Sequence, residues 1–203
     1  ASYELAYRMQ SEALDIGELS QESEATQNAY GIHDENKDKA MYARMCLLSR
    51  RLIEKGVRFV QTYNASDKLG WDGHDNNTDY NQRNAAQTDQ PVAALLKDLK
   101  SRGMLEETLV VFTTEFGRTP FRSDPNNKGR EHHCYAFSSW IAGAGTRPGT
   151  SYGESDDYGI SVAKDEVHLH DFHATLLHLL GFEHTRLTFR HAGRDFRLTD
   201  VAG

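Results

Sequence analysis

Asp72 and His74 stand two residues apart in the polar run Trp71-Asp72-Gly73-His74-Asp75-Asn76-Asn77. A carboxylate oxygen and an imidazole nitrogen at that spacing can reach one metal ion, although Asp-Gly-His is also an ordinary solvated turn. Glu115 lies in Thr113-Thr114-Glu115-Phe116-Gly117-Arg118-Thr119-Pro120, directly after an apolar run, and Gly117 permits a sharp turn behind it. Its carboxylate is either a ligand or the partner of Arg118. A third cluster is Arg130-Glu131-His132-His133, where a neutral imidazole can coordinate a divalent ion such as zinc. Adjacent histidines point in different directions in extended chain, so one ligand from His132 and His133 is expected before two. The densest histidine segment, Val167-His168-Leu169-His170-Asp171-Phe172-His173-Ala174-Thr175, reads as structural: Asp171 suits a helix N-cap, and His173 and His178 suit a partly exposed helix face. Asp, His, Glu and His from three separate loops make the mixed oxygen and nitrogen set that zinc, manganese or calcium sites use in different proportions.

Such ligands need elements to hold them. Residues 1–36 are polar and acidic and read as a peripheral segment, with a short helical pattern over residues 3–9. From Lys39, Met41, Met45, Leu48 and Leu52 recur at helical spacing, with Gly56 placed as a C-terminal cap. Residues 57–63 alternate apolar and polar side chains and read as a strand leading into the Asp72 loop. Thr88 suits the N-cap of a helix carrying Val92, Leu95, Leu96 and Leu99, which Gly103 ends. Leu109-Val110-Val111-Phe112-Thr113 is the continuous apolar run of a strand buried on both faces and delivers Glu115 at its end. A third strand over residues 136–142 runs into Gly143-Ala144-Gly145, and a helix over residues 171–180 closes at Gly181. Strand, helix, strand in this order predicts an α/β fold with right-handed crossovers and a mostly parallel central sheet flanked by helices. In such sheets ligands bind beyond the carboxyl ends of the strands, where both ligand-rich loops would lie.

The chain's 203 residues, 38% of them hydrophobic, suffice for one large core or two small ones. A net charge of −7 argues against a general nucleic-acid partner, which needs surplus Lys and Arg. Cys46 and Cys134 lie far apart without CxxC spacing, so they form neither a disulfide framework nor a zinc knuckle. No apolar run is long enough to span a bilayer. The chain opens at Ala1 without an initiator Met, which leads us to expect a natural start upstream. Serine esterase, nucleotide kinase and nicotinamide enzyme readings fall away, because GxSxG, P-loop and GxGxxG patterns are missing.

The segments Leu52-Ile53-Glu54-Lys55-Gly56-Val57-Arg58-Phe59-Val60, Trp71-Asp72-Gly73-His74, Thr114-Glu115-Phe116-Gly117-Arg118-Thr119-Pro120 and His170-Asp171-Phe172-His173-Ala174-Thr175 resemble the bacterial DUF1501 family, as does the ending Gly193-Arg194-Asp195-Phe196-Arg197-Leu198-Thr199-Asp200. That family, abundant in planctomycetes, is taken as a sulfatase-like branch of the alkaline phosphatase superfamily. The resemblance covers nearly the whole chain. It implies that residues 37–203 are the C-terminal part of a sulfatase-like α/β hydrolase domain, incomplete at its N-terminus. It further implies one or two divalent metal ions, held by Asp72 and His74, by Glu115 in the place of the Asp after the buried strand, and by His132 or His133. An extracytoplasmic location, such as the periplasm, is implied as well. Two departures stand out: Phe116 occupies the place of a metal-binding His, and Asp72 and His74 are closer together than the usual first pair.

The implied function is metal-dependent hydrolysis of sulfate or phosphate esters on a small molecule or glycan, with the nucleophile supplied by an early strand-to-helix turn outside these residues. Arg118 would add a bidentate contact to the transferring oxyanion or would orient Glu115 through a salt bridge. The alternatives left open are a metal-stabilised or glycan-binding module of the same fold without turnover, and a purely structural half that binds no metal.

Overall fold

The computed structural model describes residues 15–64, 70–122, 124–126 and 128–199. The helical pattern read over residues 3–9 and the closing Asp200 lie outside them. The chain divides into two compact units, Ala1–Ser101 with Asp124–Gly129, and Arg102–Ser123 with Arg130–Gly203.

The first unit is helical. Ser23 caps helix α1 (Glu24–Tyr30) by accepting from the Thr26 N–H at 3.1 Å, and Gly31 ends it in the left-handed region at φ 82°. Asn36 caps α2 (Lys37–Glu54) by accepting from the Asp38 and Lys39 N–H groups. At its far end the Val57 N–H reaches back to the Leu52 carbonyl at 3.0 Å while Gly56 takes φ 84°, so the glycine closes the helix as its position predicts. Helix α3 (Asn77–Ser101) is the longest and carries Pro91 in its interior. The core joins Tyr30 and Ile32 to Tyr42, Ala43, Cys46 and Leu47 of α2 and Ala94 of α3, with Leu19, Met45, Val92 and Leu95 packed around it. The stripe that α2 buries includes Ala40, Ala43, Leu47 and Arg50, while Met41 is exposed. Small residues at 40 and 43 let a neighbour approach closely, which the longer methionine would prevent.

Burial pushes the Cys46 thiol up to about 12, whereas Cys134 is exposed. Since the thiolate is the reactive form, iodoacetamide at pH 8 is expected to alkylate Cys134 alone in the folded protein. Both should react in urea; mass spectrometry that found Cys46 modified under native conditions would contradict this burial.

The second unit is built from hairpin-like pairs. Strand β1 (Val110–Phe112) pairs antiparallel with β4 (Trp140–Ala142), with Phe112 stacked on Trp140 at 5.5 Å between ring centroids. β2 (Gly117–Arg118) pairs with β3 (His132–His133), β5 (Glu154–Ser155) with β6 (Val162–Lys164), and β7 (Thr188–His191) with β8 (Arg194–Arg197). The β7–β8 turn uses Ala192 and Gly193 at φ 47° and 81°, the two positive angles of a tight hairpin turn. Between β5 and β6, the Asp156 carboxylate accepts from the N–H groups of Tyr158, Ile160 and Ser161, and these bonds hold it down at about 2. Helix α4 (Leu169–Leu179) follows, with its last turn closed by Gly181 at φ 83°.

This architecture corrects the expected α/β fold. Every sheet among the described residues is two-stranded and antiparallel, so the mostly parallel central sheet of the alkaline phosphatase and sulfatase type is not formed. The physical reason is connectivity. Parallel neighbours need a crossover, usually helical, but the chain between β1 and β4 contains only the β2–β3 pair and returns antiparallel. Residues 57–63 form no strand, and Phe59 and Tyr63 are 77% and 67% exposed. Val111 and Phe112 are exposed too, so β1 is not covered on both faces. The expected third strand is limited to Trp140–Ala142. Thr88 caps nothing: it lies buried inside α3 with its hydroxyl donating to the Asn84 carbonyl at 2.9 Å. Asp171 is not the N-cap of α4 either. His168 holds that place, its Nδ1 accepting from the His170 N–H, while Asp171 accepts from the His168 N–H at 3.1 Å.

Candidate metal centre

Two tight backbone turns shape the loop that carries Asp72 and His74. The Gly73 N–H donates to the Trp71 carbonyl at 3.0 Å and the His74 N–H to the Asp72 carbonyl at 2.9 Å. Each closes a three-residue turn, and the curled chain brings His74 Nε2 to 3.0 Å from Asp72 Oδ1. The loop lies along the start of α3. Gly73 packs against Asn77, where a Cβ would stand 2.9 Å from the Asn77 Cα, and the buried Asn84 amide donates to the Gly70 carbonyl. Asn76 begins the helix by accepting from the Asp79 N–H at 3.3 Å.

A second segment pins this loop from the side. Lys128 donates its N–H to the Asp75 carbonyl at 3.1 Å and accepts from the Asn77 N–H at 3.3 Å, forming a parallel bridge with Asn76. Gly129 follows, so close to the loop that a Cβ on it would overlap the His74 carbonyl oxygen at 1.4 Å. Gly129→Ala must therefore displace one backbone from the other. We expect a loss of about 1–3 kcal/mol of stability, the usual cost of overpacking, together with weaker metal uptake. Urea unfolding and zinc titration of the variant check both effects.

In the second unit, β2 and β3 place Arg118 opposite His132 and Gly117 opposite His133. The stem is tied beyond its two register pairs. Thr119 donates its N–H to the Glu131 carbonyl at 3.0 Å, Arg118 Nη1 donates to the Arg130 carbonyl at 3.1 Å, and Arg130 Nη1 donates to the Thr119 carbonyl at 3.0 Å. Gly117 is required here, because a Cβ would stand 2.7 Å from the Ala136 carbonyl oxygen. The two histidines face opposite ways, as strand alternation demands. His132 is exposed and stacks on Phe116 at 3.9 Å between ring centroids, while His133 is buried with Nε2 lacking a hydrogen-bond partner. Phe116 also lies 5.9 Å from the Arg118 guanidinium carbon. Glu115 is exposed and accepts from the Thr114 hydroxyl at 3.1 Å.

Within the first unit Asp72 and His74 bring a carboxylate and an imidazole together as a candidate metal-binding pair; within the second, His132 presents an exposed ring. The donors suit a transition metal. Two ligand atoms bound at about 2.0–2.2 Å with near-tetrahedral or right-angled geometry stand about 3.0–3.5 Å apart, and the Asp72–His74 spacing of 3.0 Å fits that edge. An imidazole beside a carboxylate favours zinc or manganese; calcium takes six to eight oxygens, of which this pair offers too few.

Phe116 and the 128–129 segment were not singled out as supports in the sequence. Phe116 registers there only as the residue standing in place of a ligand, whereas in the fold it is the ring against which His132 rests. The histidine-rich run is spent on capping α4, with His168 and His170 stacked at 4.9 Å. No helix among the described residues is long and apolar enough to cross a membrane.

No curated protein and no solved structure matches this chain. The family described as "Protein of unknown function (DUF1501)" matches it over residues 1–203, and the chain belongs to that family.

Proposed function

We propose that this protein is a metal-dependent hydrolase of sulfate or phosphate esters in which Asp72 and His74 hold a divalent ion, with His132, on the order of residues along the chain, as a further ligand. The observation that carries the reading is the carboxylate and imidazole set at 3.0 Å on a loop braced from two sides. Gly129 is seated on the His74 carbonyl and fixes the loop from the side. The order of Asp, His and a later His is that of sulfatase-like hydrolases, and the kinship is proposed on that order, not on sheet architecture.

A bound divalent ion would supply a Lewis acid that offsets charge on the ester oxygens and eases ionisation of the attacking group. The chain's own residues do the positioning. Phe116 orients the His132 imidazole by stacking, and the Trp71–His74 turns keep Asp72 and His74 on one side of their loop. Arg118, opposite His132 in the pair of strands, presents a guanidinium that donates to the transferring oxyanion as its charge builds.

The test is hydrolysis of p-nitrophenyl phosphate and p-nitrophenyl sulfate by the purified full-length protein, nucleophile included, with and without zinc or manganese. Turnover is expected with metal, loss on chelation, and near-complete loss in His132→Ala. Arg118→Met should lower kcat roughly 10²–10³-fold, the cost of one oxyanion donor, without releasing metal. Metal uptake without turnover of either ester would leave a metal-stabilised binding module in its place.

A further inference from the structure

Arg83 lies on the second turn of α3, and its position is unusual for a cation. Its Nε and Nη2 are buried and lack any hydrogen-bond partner among the described residues, and the Tyr80 ring lies 5.0 Å from the guanidinium carbon. Desolvating a charge without an anion is costly, so buried guanidinium groups are normally paired. The two orphaned nitrogens form one edge of the guanidinium fork, the edge that binds two oxygens of a carboxylate, sulfate or phosphate side by side.

The surroundings point the same way. Asn84, the next residue, holds the Gly70 carbonyl. Gly70 also packs on the other flank of the loop, where a Cβ would stand 3.9 Å from the Asn64 carbonyl oxygen, and Asn64 Nδ2 is a third buried donor without a partner. With Gly73 against Asn77 and Gly70 against Asn84, the Trp71–Asp72 segment runs alongside the first two turns of the helix. A helical side chain leans toward the N-terminus of its helix, which aims Arg83, already over Tyr80, along that segment. Asn84 Oδ1 and Gln87 Oε1, on neighbouring positions of α3, are buried acceptors without donors.

We propose that Arg83, with Asn64 Nδ2, forms an oxyanion-binding subsite beside the Asp72–His74 loop, taking a sulfate or phosphate group. The identity of the anion rests on the ester-hydrolase reading; the site itself rests on the orphaned donors. Arg83 is a binding residue in this assignment.

The experiment titrates sodium sulfate and sodium phosphate into the metal-free protein under chelator, reading melting temperature and calorimetric binding, for wild type, Arg83→Gln and Arg83→Lys. Wild type should bind one anion and melt higher with it. Arg83→Gln should lose about tenfold to a hundredfold in affinity, as expected for a charge-assisted bidentate pair, and Arg83→Lys should fall between them. Without anion, Arg83→Gln should melt no lower than wild type, because the change removes an uncompensated charge. Wild-type protein that binds neither anion would overturn the subsite. So would an Arg83→Gln variant that keeps full affinity, or one that melts markedly lower in anion-free buffer. Zinc uptake is scored separately on the same samples: its absence in wild type would sink the hydrolase reading while leaving the anion result to stand or fall alone.

Discussion

In zinc at a hundred times its dissociation constant, wild-type protein is expected to gain about 2.7 kcal/mol of stability, and Asp72→Ala and His74→Ala are expected to gain almost none. The contrast is sharp because the two residues contribute little to the metal-free fold. Their side chains are 58% and 39% exposed, and their contact at 3.0 Å is of the surface kind, whose net worth is close to zero once screening and side-chain entropy are included. Melting curves of the apo variants should therefore overlay wild type, and separation should appear only on adding metal. Manganese should act in the same direction; calcium should do much less, for want of oxygen donors. Equal zinc-induced shifts in wild type and Asp72→Ala would remove Asp72 from the site. No shift in wild type would remove the site.

The second large effect is one of stability and lies in the helical unit. Arg50 has 2% of its side chain exposed and faces three carboxylates: its Nε donates to Asp98 at 3.0 Å, its Nη1 to Glu54, and its Nη2 sits 2.7 Å from Glu22 in an ion contact without hydrogen-bond geometry. Burial works against the guanidinium charge, but the hydrogen bonds and charges of Glu22 and Glu54 outweigh it and hold Arg50 protonated. Tyr30 completes the network by donating to Asp98 at 3.1 Å, and burial pushes its phenol well above the ordinary value. Arg50→Ala strips Asp98 and Glu54, 15% and 30% exposed, of this cation, while Glu22 keeps Arg51 at 2.9 Å. A loss of about 3–5 kcal/mol is expected in urea unfolding, the cost of breaking a buried pair from one side. Arg50→Lys should rescue only part, since a single ammonium cannot reach three acceptors in the way a fork can. Removing the Asp98 and Glu54 charges in the Arg50→Ala background should restore part of the stability. Arg50→Ala within about 0.5 kcal/mol of wild type, the range of ordinary surface changes, would show that the network carries no weight.

Helix existence was legible in the residues because its signals are local. Gly56 and Gly181 sit where the chain must turn left-handed, and the structure puts them at φ 84° and 83°. The helix starts were less legible. Asn76 and Asp79 at the head of α3 resemble any polar loop, so Thr88 looked like the cap, and only packing against α2 makes about three further turns worthwhile. Pro91 hid this too, since a proline usually marks a boundary and here it lies inside the helix.

Strand pairing was not legible at all. The apolar run at 109–113 has the composition of a strand covered on both faces, yet composition carries no record of which strand pairs with it or in which direction. Antiparallel pairing of β1 with β4 goes with a connection that holds the β2–β3 pair and no crossover helix, a property of the folded path.

The donor types of the metal site belong to the sequence: a carboxylate and an imidazole two residues apart will meet wherever the chain curls, and alternation alone sends only one of His132 and His133 outward. What only the tertiary structure decided is which residues brace them. Gly129 against the His74 carbonyl, Asn84 on the Gly70 carbonyl and Phe116 under His132 are contacts between segments far apart or on facing strands. Their reason is steric fit and satisfied hydrogen bonds in three dimensions, which depend on distances that residue order does not encode locally.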